Sequence, residues 1–175
     1  MKSTGVIRRI DDLGRIVVPK EIRKNLKIKE GDTIEIFIDG ASIVLRKFSL
    51  MSDLVSTANK LVLISSGLIK KKILITNNEK VIACTNSIED IYLNQDISSF
   101  VLSKIEGRMD CYHNAKEIIQ FIPNVTEDCY SFMSPIIVDS DPIGMVIIFD
   151  SNVISESDKL VGKMLSSFLT KSVEG

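Results

Sequence analysis

Hydrophobic and polar positions alternate through the first fifty residues and then change period. Residues 6–10 and 15–18 are short β-branched runs separated by the acidic turn Asp11-Asp12-Leu13-Gly14, the pattern of two tightly joined strands. Pro19 stands where a first helical residue would, because its fixed φ suits that position and its missing N–H is not needed there. The helix predicted from Lys20 is brief. Ile22 and Leu26 share a face at i, i+4, while Arg23, Lys24 and Lys27 spread round the other side and Glu30-Gly31-Asp32 ends it. Ile34, Ile36 and Ile38 then alternate with Glu35 and Phe37 up to Asp39-Gly40, a dipeptide favoured in two-residue type I′ turns. Ile43, Val44 and Leu45 form the returning strand, finished by Arg46 and Lys47. The predicted order is strand, strand, short helix, strand, strand.

From Phe48-Ser49-Leu50-Met51 onward the spacing becomes helical. Leu50, Leu54, Ala58, Leu61 and Leu68 make a stripe that Val62 and Ile64 widen, with Ser52 or Asp53 placed to cap its start. Lys70-Lys71-Lys72 reads as cations after the helix C-terminus. Residues 73–76 and 81–84 form a hairpin-like pair turning at Asn77-Asn78-Glu79, residues 97–105 have helical spacing, and residues 116–122 are short and ambiguous. A stronger hairpin joins 135–138 to 143–149 across Asp139-Ser140-Asp141-Pro142. Residues 155–173 are amphipathic, with Leu160, Met164 or Leu165, and Phe168 on one face. This is an α+β order whose strands can share one antiparallel sheet.

The change of period divides the 175 residues into a module at 1–50 and a domain at 51–175, and composition sharpens the division. The formal net charge is −1, yet residues 1–50 carry eleven Lys/Arg against seven Asp/Glu, net +4, and the remainder eleven against sixteen, net −5. A basic head on an acidic body is the asymmetry of a binding module joined to something else. So small a head can hardly bury enough apolar surface to offset chain entropy, so an intertwined dimer with a shared core is expected. Three cysteines with no close pairing make a disulfide framework improbable. The charged start lacks an apolar signal core, and the longest apolar runs, 61–64 and 145–149, are far short of a membrane span. A reduced, cytoplasmic protein without membrane contact is expected, and the sequon at Asn124-Val125-Thr126 is then chance.

The head's charges define its chemistry. Arg8, Arg9, Arg15, Arg23 and Lys24 put fixed positive charge on neighbouring short elements, which suits an array of phosphates better than a small acid. No tryptophan and few aromatics argue against a base-stacking platform for single strands; the charges read as a DNA-binding surface, with double-stranded DNA the expected partner. Arg46, Lys47, Lys27 and Lys29 read equally well as solvated surface. No other pattern amounts to an active site. Cys111-Tyr112-His113 places a thiol and the only histidine on one side of an extended segment, but the spacing is not that of a zinc site, and no orienting third group or oxyanion hole is marked nearby. No two glycines lie two apart, so there is no G-x-G phosphate cradle, and Pro142 makes Asp139/Asp141 a turn rather than a calcium loop. No catalytic residue, metal or cofactor is expected.

Four stretches of the head match a known pattern: Ser3-Thr4-Gly5-Val6-Ile7-Arg8-Arg9, Leu13-Gly14-Arg15-Ile16-Val17-Val18-Pro19, Glu21-Ile22-Arg23 and Thr33-Ile34-Glu35-Ile36. Residues 3–48 resemble the AbrB-like DNA-binding domain of bacterial transition-state regulators. The resemblance implies an all-β swapped-hairpin barrel, formed by two chains, with a short looped-hinge helix. It also implies DNA contact by Arg8, Arg15, Arg23 and Lys24, with Arg9 as a fifth; Lys24 keeps the charge but lacks the bidentate fork of the arginine often found there. The order of residues 51–175 resembles a GAF-type sensory domain with flanking helices, though the Asn-Lys-Phe-Asp-Glu signature of some nucleotide-binding relatives is absent. The composite resembles regulators of sporulation genes. It implies a tetramer with helical stripes such as Leu54/Leu61 and Leu160/Phe168 at partner contacts, and it permits an unidentified small effector. The alternative is an antitoxin, since some antitoxins share the barrel; those usually end in a short disordered tail, whereas residues 51–175 read as folded.

Overall fold

The computed structural model describes residues 6–26, 28, 30, 34–47 and 50–174, in two compact units, residues 1–49 and 50–175. The matching residues Ser3-Thr4-Gly5 and Thr33, together with Lys27, Lys29, Gly31, Asp32, Phe48 and Ser49, lie outside the described residues.

In the first unit, residues 6–10 and 15–19 are not assigned to strands. A strand needs a neighbour for its N–H and C=O groups, and among the described residues these two segments form no ladder; their link is the turn between them. Helix α1 is Lys20–Asn25, with Pro19 as its N-cap (φ −57°, ψ 148°), one position earlier than expected. Strands β1 (Ile34–Asp39) and β2 (Ser42–Lys47) pair antiparallel, with Asp39 opposite Ser42. The two-residue loop is therefore Gly40-Ala41, not Asp39-Gly40. Only Gly40 of the two has positive φ (58°), which is the type II′ arrangement rather than I′. Opposed residues on a hairpin share a face, so Ile36/Leu45 and Ile38/Ile43 form one apolar face. That face is uncovered, with Ile38 85% exposed. No described residue of this unit is buried.

The second unit is a sandwich of helices about one sheet. Helix α2 (Leu50–Ile69) leads into β3 (Lys72–Asn77) and β4 (Val81–Cys84). A 3-10 turn (Asn86–Ile88), α3 (Glu89–Tyr92) and α4 (Ser99–Glu106) follow. Then come β5 (Cys111–Ile122), β6 (Val125–Val138), β7 (Asp141–Asp150) and α5 (Glu156–Glu174). The sheet is antiparallel throughout, in the order β4-β3-β7-β6-β5. Both faces are covered, so the central strands are apolar on both sides rather than alternating with polar residues. Ile73, Ile75, Val146 and Ile148 pack with Leu54, Ala58, Val62, Leu165 and Leu169 of α2 and α5. Leu74, Met133, Met145, Ile147 and Phe149 pack with Tyr92, Val101 and Ile105 from α3 and α4.

Helix α4 is capped by Ser98, whose hydroxyl accepts from the Val101 N–H and donates to the Gln120 carbonyl. Helix α2 already begins at Leu50, so Ser52 and Asp53 fall within its first turn rather than capping it. One loop carried no reading from the sequence, and the reading of another changes. Pro123-Asn124 forms the β5–β6 turn, with Asn124 at φ 65°, as a type II turn requires after proline. The β6–β7 turn is Asp139-Ser140 alone, both at positive φ, and Pro142 lies within β7 beside a register shift. Among the described residues no helix is long and apolar enough to cross a membrane.

Leu54 is 0% exposed in the unit's own core, which leaves no surface for the partner contact expected of it, and Leu61 packs partly against the same core. Leu54→Ala is expected to lower the unfolding free energy by about 2–5 kcal/mol through the cavity it leaves, read as an earlier denaturant midpoint without a change of oligomeric state.

Candidate nucleic-acid interface

The turn between the two extended segments is fixed by one carboxylate. Asp11 Oδ1 accepts from the backbone N–H groups of Leu13 (3.1 Å) and Arg15 (2.8 Å), while Oδ2 accepts from Arg15 Nε at 2.8 Å. The Asp11 N–H donates to the Arg15 carbonyl and the Gly14 N–H to the Asp11 carbonyl. Gly14 turns the chain at φ 76°, a conformation that suits a residue without Cβ. The Arg15 backbone N–H first, then its guanidinium, holds the Asp11 carboxyl below the usual carboxylate range. This is an Asx-type turn in which the side chain that shapes the loop also orients the arginine. The sequence showed an acidic turn beside Arg15; the double grip of Asp11 on it went unread.

Arg8 and Arg9 lie in the segment before this turn and Arg15 in the segment after it, all exposed. Arg8 donates from Nη1 to the Ile7 carbonyl (3.1 Å) and lines an apolar hollow with Ile16, Val18, Pro19, Ile22 and Leu45. The structure thus brings Arg8 to the foot of α1. Arg23 and Lys24 occupy the last turn of α1 and are exposed, and the Arg23 N–H donates to the Pro19 carbonyl at 3.0 Å. All five cations expected to meet DNA therefore reach solvent from short, turn-anchored elements. Arg46 and Lys47 stand on β2 opposite Glu35 and Ile34.

Similarity to known proteins follows the same division. A family model described as stage V sporulation protein T C-terminal, transcription factor, matches residues 53–174, and one described as antidote-toxin recognition MazE, bacterial antitoxin, matches residues 7–48. Stage V sporulation protein T of Bacillus subtilis (strain 168) is 34% identical over 177 residues, spanning 99% of this chain and 99% of that protein. The chain belongs to the stage V sporulation protein T family. The transition state regulatory protein AbrB of the same organism is 50% identical over 48 residues, 27% of this chain and 50% of AbrB. Among solved structures, the PixJ GAF-domain of Thermosynechococcus elongatus in its blue-light absorbing form superposes with a TM-score of 0.56 at 13% identity. It covers 73% of this chain and 89% of that one. At that identity the likeness is one of fold, and the second unit is GAF-like.

The GAF-like unit of this family member presents its own exposed apolar stripe. On α5, Leu160 (68% exposed), Met164 and Phe168 (54%) recur at i, i+4, i+8, one position out of phase with the buried Leu165, Leu169 and Val173. The sequence could not separate Met164 from Leu165; the sheet takes the latter. On α2 the exposed apolar residues are Leu63, Ile64 and Leu68 rather than Leu54 or Leu61. Arg15→Ala removes an exposed side chain and leaves the Asp11 backbone caps in place. Duplex DNA binding is expected to weaken by about 1–3 kcal/mol at an unchanged melting temperature; equal affinity of the two proteins in a low-salt anisotropy titration contradicts the assignment.

Proposed function

We propose that the protein is a transcription regulator of sporulation genes that binds double-stranded DNA through a dimer of its first unit. The observation that carries this is a half-AbrB-identical unit whose five cations are exposed and whose apolar hairpin face is uncovered. A second chain supplies what is missing. Residues 6–10 and 15–19 become strands by pairing with the partner's, and the Ile36/Leu45 and Ile38/Ile43 faces close on each other as a swapped-hairpin barrel. Dimerisation doubles the cation array and gives it a two-fold axis, matching DNA with two half-sites. With no long recognition helix, phosphate contacts set position, and sequence preference rests partly on DNA shape and deformability.

The GAF-like unit joins two such dimers into a tetramer. The Leu160/Met164/Phe168 stripe and the exposed residues of α2 favour this, since apolar rows at helical spacing on a protein surface mark association sites. No effector is assigned: the space beneath α3 and α4 is filled by Tyr92, Phe121, Met133, Met145 and Phe149, all buried. The antitoxin reading is less favoured because residues 50–174 form a folded unit of the sporulation-factor family rather than a tail.

Two outcomes test the proposal. Log affinity for duplex DNA is expected to fall linearly with log salt, with a slope near −0.9 per neutralised phosphate, and a flat response excludes the basic array as the contact surface. Native mass spectrometry is expected to show tetramers. The double substitution Leu160→Asp with Phe168→Asp should reduce them to dimers without loss of circular dichroism, and persistence of the tetramer contradicts the placement of that interface.

A further inference from the structure

Strand β5 is interrupted between His113 and Glu117. His113 pairs with Ser131 of β6 and Glu117 with Cys129, so three residues on β5 lie between pairs that enclose one on β6. In an unbroken strand, side chains four residues apart are separated by about 13 Å. Here the bulge at Asn114-Ala115-Lys116 folds that distance away, and Glu117 Oε2 lies 2.6 Å from His113 Nδ1. On the other side of the ring, His113 Nε2 is 3.3 Å from Cys111 Sγ. Three residues of one strand thus form a continuous thiol–imidazole–carboxylate chain. The sequence marked the thiol and the imidazole but not the third group, because only the bulge brings it within reach.

Against a Glu117 carboxylate, which only accepts, Nδ1 is the donor, and in the neutral ring Nε2 is then the nitrogen that can accept from the thiol. The ring is held besides by Phe100 of α4, at 6.0 Å between centroids, and its side chain is 14% exposed. Lys104 of α4 lies over the same Phe100 ring, 5.2 Å from its centroid. Across β6, Cys111 faces Met133, His113 faces Ser131 and Glu117 faces Cys129. Ser131 is 0% exposed, and its hydroxyl has no hydrogen-bond partner among the described residues. That hydroxyl lies on the face His113 occupies. The other two cysteines are of a different kind. Both are buried, and burial chiefly pushes the Cys84 thiol up to about 11 and the Cys129 thiol up to about 12.

The geometry assigns Cys111 as a reactive thiol, activated by His113 with Glu117 as the orienting group, whose substrate is a small hydroperoxide. The Sγ proton passes to His113 Nε2 and the thiolate attacks one peroxide oxygen, so the S–O bond forms as the O–O bond breaks. Sulfur gives up two electrons to the peroxide. The leaving alkoxide, or hydroxide from hydrogen peroxide, takes the proton from Nε2 and departs as alcohol or water. Cys111 is left as the sulfenic acid, the first and reversible rung of thiol oxidation.

The test treats the full-length protein with hydrogen peroxide and a sulfenate-trapping dione, then locates adducts by mass spectrometry. Adducts are expected on Cys111 and not on Cys84 or Cys129. At pH 6.5, where an unassisted thiol of pKa about 8.5 is only about 1% thiolate, His113→Asn should slow Cys111 labelling about tenfold. Glu117→Ala, at a half-exposed side chain, should slow it in the same direction. Equal labelling of the three cysteines in the folded protein, or a Cys111 rate indifferent to His113→Asn, overturns the assignment. The pH dependence of iodoacetamide alkylation in the unsubstituted protein gives a reading that requires no variant to fold. A rate that falls less than about tenfold per unit below pH ~8.5 supports activation, and one that falls about tenfold per unit, as an ordinary thiol's does, overturns it.

Discussion

Fewer than fifty residues bury too little apolar surface to offset the entropy of ordering the chain, and the first unit meets that limit directly. Its hairpin is regular and its helix is anchored at Pro19, yet none of its described side chains is buried. Isoleucines that would be core elsewhere, Ile36, Ile38 and Ile43, face outward. In the proposed dimer this deficit makes folding and assembly one event, and the cations reach a defined spacing only when two chains meet. DNA binding is then linked to protomer concentration through the stability of the fold itself.

The second unit answers the same entropy differently, with helices on both faces of a five-stranded sheet. Its two apolar clusters are complete within one chain, so its exposed stripes are surplus to folding. That surplus distinguishes Leu160 and Phe168 from Leu54: all three sit on amphipathic helices, but Leu54 is consumed by its own core.

Much of this was legible in the chain. Period-two alternation located β1 and β2, and helical spacing located α2 and α5, because each has a single phase to detect. Arg8, Arg9, Arg15, Arg23 and Lys24 could be picked out as exposed because charge on such short segments has few structural uses. What escaped reading was set by neighbours. Residues 125–134 look too polar for a strand, and β6 forms there because β5 and β7 flank it; Pro123-Asn124 was its one local sign. The strand expected at 6–10 requires a partner segment that no local pattern supplies. Of the rows on α5, only packing on the sheet shows which turns inward, since Met164 and Leu165 are equally apolar.

The bulge on β5 has a consequence for how this protein can vary. Asn114, Ala115 and Lys116 are exposed, so a wide range of side chains fits at each. Their number is another matter. Side chains alternate faces along a strand, so deleting one of the three would turn Glu117 away from His113 while leaving every residue of the thiol–imidazole pair in place. The segment's length matters more than its composition, and a single-codon deletion there would disconnect the carboxylate as effectively as a substitution at Glu117 itself.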